Sequence, residues 1–247
     1  MEEVITILGI AKDSDLVLIK KACFDLNWNT EEQKRIELGF IVNSNLKKIN
    51  NLIENAHLHF QTSLYFKPRS QDFLTELKNQ LNSTIINKNV KTIHFDISNP
   101  DFSITQITPF KESYPNVSLS LVINKPYITK VFYDDLIKNI LNWALIFDSF
   151  VFRTENVDNS FNLESSTTIL KRLMDQNAQI KRIYFAGGMD AMEVMNKCKS
   201  LYDNTFRSFS VFADTKLRID KMLIQRKVKN LLNVWAILDD YQKGKKK

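Results

Sequence analysis

The stretch Thr92-Ile-His-Phe-Asp-Ile-Ser-Asn-Pro-Asp-Phe102 decides how this chain is read, because polar chemistry is written there into a strand-like apolar run. Side chains alternate across a strand, so His94, Asp96 and Ser98 project to one face while Ile93, Phe95 and Ile97 pack behind them. An imidazole and a carboxylate two residues apart either ligate one divalent ion or pair as a base and its orienter. The same spacing also serves an ordinary hydrogen-bonded pair at a strand end. Which of these applies depends on what surrounds the strand.

Outward from it, apolar runs recur about every 30 residues: Val4–Ile10, Ile36–Val42, Leu58–Phe66, Val90–Ile97, Val117–Ile123, Phe147–Phe152, Ile180–Phe185 and Phe209–Ala213. Between them, 73–81 and 131–143 carry apolar residues at steps of three and four, the period of a helix. Strand and helix alternate throughout, which fits an open doubly wound sheet or a closed ring. Eight repeats favour closure, so the expected fold is α/β: a single-domain (β/α)8 TIM barrel over residues 1–242, with a basic flexible tail at 243–247. Barrel sites lie where strands run into the following loops. That rule selects Asn43, Asp96, Ser98, Asn124, Lys125, Arg153, Glu155, Asp190, Asp214 and Lys216.

Composition removes several function classes. With 247 residues and 44% apolar content the chain can bury a full core. No apolar run approaches a bilayer span, and Met1-Glu-Glu-Val4 places no basic region before an apolar one, so neither a membrane nor a secreted protein is expected. Cys23 and Cys198 are far apart, which excludes a cysteine zinc site, an iron–sulfur cluster and a disulfide framework, and points to the cytoplasm. Four of the lysines behind the net charge of +6 sit in Lys243-Gly-Lys-Lys-Lys247, so a solvated tail accounts for it better than a nucleic-acid arm. Only five glycines occur, and no Gly-x-Gly-x-x-Gly or P-loop is present, so dinucleotide and P-loop readings have no support.

From Ser70 onward the chain resembles the ribulose-phosphate 3-epimerase family of sugar-phosphate epimerases. The stretches that carry the resemblance are Ser70-Gln-Asp-Phe73, Ile93-His-Phe-Asp-Ile-Ser-Asn-Pro-Asp-Phe102, Ser118-Leu-Ser-Leu-Val-Ile-Asn-Lys-Pro126 and Phe152-Arg-Thr-Glu155, in the family's order and spacing. The resemblance implies a phosphorylated ketose as substrate, proton transfer by Asp96, and a divalent metal (Zn, Fe or Mn) held by His94 and Asp96. The family's second metal histidine falls on Ser120, so half of the metal shell is missing and any ion is expected to be weakly held. The match begins about 55 residues late, which suggests a circular permutation in which the two N-terminal strands supply the family's last two. On that alignment the second catalytic aspartate falls on Ile7. A catalytically inactive barrel with a binding or regulatory role is the alternative from another class.

Other constellations complete the candidate site. Ala186-Gly-Gly-Met-Asp190 lies between a strand and a helix-like stretch, where Gly187 and Gly188 would let backbone amides approach a phosphate, or simply make a tight turn. Asp214-Thr-Lys-Leu-Arg-Ile-Asp220 is similar to the charged motif of phosphosugar decarboxylases, which would make Lys216 a substrate contact or an aldolase amine; ordinary surface ion pairing is the simpler account. Arg153 and Glu155 share a strand face and are expected to pair, with Arg153 the best side chain for gripping an anion. His57 and His59 are read as structural residues at a strand start. Barrels of this class often associate, so a homo-oligomer is an open expectation.

Overall fold

The eight strands of the barrel overlap the eight apolar runs: β1 Ile5–Leu8, β2 Ile36–Ile41, β3 Gln61–Phe66, β4 Thr92–Asp96, β5 Ser118–Ile123, β6 Ser149–Arg153, β7 Arg182–Ala186 and β8 Ser210–Ala213. All pair in parallel and in chain order, and β1 closes the ring by pairing with both β2 and β8 through Ile5↔Ile36 and Ile5↔Val211. The computed structural model describes residues 3–42, 46–67, 75, 88–96, 107–130, 132–176 and 178–244. The sequence-predicted helix at 73–81 and the residues Asn43 and Ser98 lie outside the described residues. No described helix is long and apolar enough to cross a membrane.

Period-two patterning builds two cores. Ile7, Leu38, Leu64, Phe95, Leu121, Phe152, Phe185 and Val211 point outward and are buried beneath the helices. Their neighbours along each strand point inward, where Leu8, Tyr65, Val122, Val151, Tyr184 and Phe212 form a second, smaller apolar cluster. The rest of the interior is polar: Thr6, Glu37, Ser63, Thr92, His94, Ser120, Ser149, Arg182 and Ser210 are all buried. The helix Gln225–Gly244 buries Val228, Leu231, Leu232 and Trp235 and packs on Asp13–Asp25, so the helical ring closes as the strand ring does. Its buried Asp239 pairs with Arg35 ahead of β2 and, at 2.9 Å, with Lys243.

Three boundary expectations change. The final helix runs to Gly244, so Lys243 and Gly244 belong to it rather than to a tail starting at 243. The third strand starts at Gln61, because a helix, Leu46–His57, continues through the preceding residues and His57 Nδ1 contacts the Glu54 carbonyl at 2.7 Å; His57 and His59 therefore lie before the strand. Residues 5–8 and 36–41 are barrel strands, as the permutation requires, but Ile7 points into the outer core and is fully buried there. A carboxylate at position 7 would face helices, so position 7 cannot supply a catalytic aspartate.

Candidate functional site at the barrel mouth

The carboxyl ends of the strands carry a connected set of ionisable groups. Asp96, the last residue of β4, accepts a hydrogen bond from the Tyr65 hydroxyl of β3 at 2.5 Å on Oδ2, and one from the Asn124 amide, just past β5, on Oδ1. Arg153, the last residue of β6, donates through Nη2 to Asp214 Oδ2 at 2.9 Å and through Nε to Glu155 Oε1 at 3.4 Å. Arg153 also reaches the Tyr65 hydroxyl. A chain Asp96–Tyr65–Arg153–Asp214 therefore crosses the mouth from the end of β4 to the end of β8, opposite positions in an eight-membered ring.

Electrostatics follow from that geometry. Burial works against the Arg153 charge, but the carboxylates of Asp214 and Glu155 outweigh it and hold the guanidinium above its ordinary value. Burial, and then the adjacent Asp96 charge and hydrogen bond, push the Tyr65 hydroxyl well above the usual phenol range, so Tyr65 stays a proton donor at neutral pH. Asp214 is further fixed by Thr215, whose amide donates to Oδ1 at 2.6 Å. The expected Arg153–Glu155 pair is present. Asp214 does cap the short helical turn Thr215–Leu217 and is ion-paired, but the pair is with Arg153 inside the mouth, where Asp214 is buried, and not on the surface.

One layer deeper lies a second polar group. His94 Nε2 donates to Glu37 Oε1 at 3.0 Å, Thr6 Oγ1 donates to the same oxygen at 2.9 Å, and the Tyr184 hydroxyl donates to Glu37 Oε2 at 3.3 Å. Arg182 Nη1 reaches the Tyr184 oxygen at 3.0 Å and stands 3.9 Å from Glu37 Oε2. Both Glu37 and His94 are 0% exposed. Burial alone would raise the Glu37 carboxyl, but the hydrogen bond and charge of His94, with Arg182 and Thr6, bring it down to about 2. The His94 ring meets Tyr184 and Phe212 edge to face at 5.3 and 5.2 Å, which locks its orientation.

His94 and Asp96 share a strand face, as alternation predicts, yet they serve different layers. The imidazole bonds Glu37 through Nε2 while its buried Nδ1 has no hydrogen-bond partner among the described residues, and both Asp96 oxygens accept from Tyr65 and Asn124. No cluster of three or more His, Cys, Asp or Glu suited to a metal exists among the described residues. Ser120 stands beside His94 in the strand register and is buried. Neither cysteine is a nucleophile candidate: both are free and buried, and burial pushes the Cys23 thiol up to about 12.

Gly187 and Gly188 follow β7 in chain order, the strand that the permuted alignment counts as the family's fifth, and barrel phosphate sites commonly form after strands seven and eight. Their local geometry nevertheless describes a packed turn. At φ +104 and +66 they take conformations that favour glycine; a Cβ on Gly187 would lie 2.5 Å from Glu155 Oε2, and one on Gly188 would lie 1.8 Å from the Asn159 carbonyl oxygen. The first amides of the following helix, Met192 and Glu193, already donate to the Asp190 carboxylate at 3.0 Å each. Lys216 sits half-buried in the turn Thr215–Leu217, with no side-chain bond shown to the Arg153 network.

Sequence reasoning missed Glu37, Tyr65, Arg182 and Tyr184. Glu37 had a visible signal, a lone charge inside Ile36-Glu-Leu-Gly-Phe-Ile41, at a period-two position facing the interior. Tyr65 and Tyr184 had none, because an aromatic residue in a strand reads as core until its hydroxyl finds a partner.

No protein-family model matches the sequence, and no curated protein does either. Solved structures do match. The N-(5'-phosphoribosyl)anthranilate isomerase of Pyrococcus furiosus superposes with a TM-score of 0.62 at 14% identity over 96% of this chain and 100% of its own. The phosphoribosyl anthranilate isomerase of Thermotoga maritima gives 0.61 at 11% over 94% and 98%. For the 3-hexulose-6-phosphate synthase of Salmonella typhimurium the values are 0.58, 8%, 96% and 99%. The fold is the TIM barrel of these enzymes. These barrels and this one overlay over nearly the whole of each chain, and His94 and Asp96 lie on the fourth strand in chain order, where the permuted alignment puts the family's second.

Proposed function

We propose that the protein acts on a phosphorylated ketose at the barrel mouth by proton transfer, through an enediolate. The observation that carries this reading is the Asp96–Tyr65–Arg153–Asp214 chain, which sets carboxylates at opposite sides of the mouth with a guanidinium between them. Such chemistry requires a base and an acid on opposite faces of one carbon, and a positive charge for the developing oxyanion. Asp96 takes the proton from the carbon beside the carbonyl, and the C–H electron pair moves into the new C=C bond as the carbonyl oxygen becomes anionic. Arg153 donates to that oxygen. A solvent proton delivered on the Asp214 side of the mouth returns to the other face and completes an epimerisation. The phosphosugar enzymes whose fold this chain shares support the substrate class. The epimerase-type outcome rests on the opposed carboxylates and on the resemblance around Asp96. No step is routed through a metal.

A second reading, a barrel that binds its ligand without turnover, is favoured by one specific feature. Each Asp96 oxygen already has a donor and Arg153 already faces two carboxylates, so ligand must compete with internal bonds. An aldolase-type reaction through Lys216 has less support, since an amine nucleophile needs desolvation and this one is half-exposed.

The test is proton NMR of ribulose 5-phosphate with the protein in D2O, with and without added Zn2+, Mn2+ or Fe2+, beside Asp96→Asn. Exchange of the carbon-bound proton that needs no added metal and disappears in the variant is the expected result. Binding of the ketose phosphate by calorimetry with no exchange would replace the catalytic reading by the binding one.

A further inference from the structure

On the opposite face of the barrel, where the strands begin, lies a groove of about 420 Å³ lined by Lys20, Lys21, Phe24, Trp28, Gln33 and His59. The chain leaving the helix Asp13–Asp25 turns sharply there, with the Asn27 and Trp28 amides donating to the carbonyls of Phe24 and Cys23 and Asn27 at φ +56, which returns Trp28 beside Phe24. Gln33 holds the turn by donating to the Trp28 carbonyl at 3.1 Å. Phe24 is 79% exposed, although a phenylalanine gains nothing from water contact. Neither Lys20 nor Lys21 makes an ion pair among the described residues. The nearby carboxylates are engaged elsewhere: Glu31 with Lys34, Glu32 with the Asn29 amide, Asp25 with Gln225 and Lys229. His59, partly buried beside Lys20, is held below its ordinary value by burial and then by that lysine's charge. The groove is therefore lined by aromatic and cationic side chains, its lysines without ion pairs among the described residues, and lies within the size range of small-ligand sites.

We propose that this groove binds a nucleoside monophosphate, with the base stacked on Phe24 and Trp28 and the phosphate held by Lys20 and Lys21. Charge complementarity selects an anion, since lysine ammonium groups serve phosphate as point charges. Two aromatic residues at the same groove select a planar group on the anion. The site lies away from the mouth and stands independently of the proposed proton transfer.

Adenosine 5'-monophosphate is the probe, titrated by isothermal calorimetry into the full chain, with inorganic phosphate and adenosine titrated separately. Saturable binding of the nucleotide, at least tenfold tighter than either fragment, is expected. Phe24→Ala should weaken it about tenfold, and Lys20→Gln with Lys21→Gln should weaken it by about as much and flatten its salt dependence. All three side chains are surface groups, and unchanged thermal melts would show that folding is intact. Absence of nucleotide binding, affinity equal to that for inorganic phosphate, or affinity unchanged in the variants would each overturn the proposal. Binding of a single-stranded oligonucleotide without binding of the mononucleotide would overturn it in favour of a nucleic-acid surface.

Discussion

Glu37→Gln tests whether the barrel interior is held by an ionised hub. The carboxylate accepts from Thr6, His94 and Tyr184 at 2.9, 3.0 and 3.3 Å and faces Arg182 at 3.9 Å, all out of contact with water. Removing one partner of such a buried charged group costs about 3–5 kcal/mol, and glutamine keeps the shape and one acceptor oxygen, which selects the lower end, about 3 kcal/mol. The carboxyl descends from an ordinary 4.5 to about 2 on folding. At about 1.4 kcal/mol per pH unit that again corresponds to roughly 3 kcal/mol, a second view of the same interactions and not an addition to them. Because the folded value is depressed, this stability is complete above about pH 4.5 and is lost as pH falls through about 2. Urea unfolding of both proteins, followed by circular dichroism at pH 7, 5, 4 and 3, gives the difference at each pH and cancels the other carboxylates. The expected difference is about 3 kcal/mol at pH 7 and roughly half of that at pH 3. A variant as stable as the parent at pH 7, or a difference that ignores pH, would refute an ionised Glu37.

Gly188→Ala should prevent soluble folding or cost more than about 3 kcal/mol, since its methyl would meet the Asn159 carbonyl in a left-handed backbone; thermal melts and soluble yield check it. Arg153→Lys keeps the charge but loses the fork that reaches Asp214 and Glu155. Deuterium exchange on the ketose phosphate should fall about 100-fold with little change in thermal stability, and an unchanged rate would remove Arg153 from the proposed oxyanion role. Ser120→Ala removes a buried hydroxyl that has no hydrogen-bond partner among the described residues. Stability in urea should therefore stay level or rise by up to about 1 kcal/mol, whereas a loss above 2 would reveal a partner for that oxygen.

The barrel was legible in the chain because its signals are local. Strand patterning repeats within five or six residues, helical patterning within eleven, and about thirty residues per unit suffice to count eight, so the runs around Ile36, Val117 and Phe209 each marked a true strand. Strand-end position alone also put Asp96, Asn124, Arg153, Glu155 and Asp214 on one rim. The resemblance does not by itself single out the epimerases among phosphosugar barrels, for a physical reason: His-x-Asp on a strand is two alternate residues, and any strand of a barrel can present them.

What the sequence determined by itself was the ring, its two-faced strands and the rim from which chemistry would come. Only the tertiary structure decided that His94 belongs to Glu37 from a strand 57 residues earlier, that Tyr65 links Asp96 to Arg153, and that Asp214 is the carboxylate opposite. Those assignments depend on which strands lie next to or across from one another once the ring closes. Closure is a long-range event, and a hydrogen bond formed across it leaves no trace in the local alternation of apolar and polar residues.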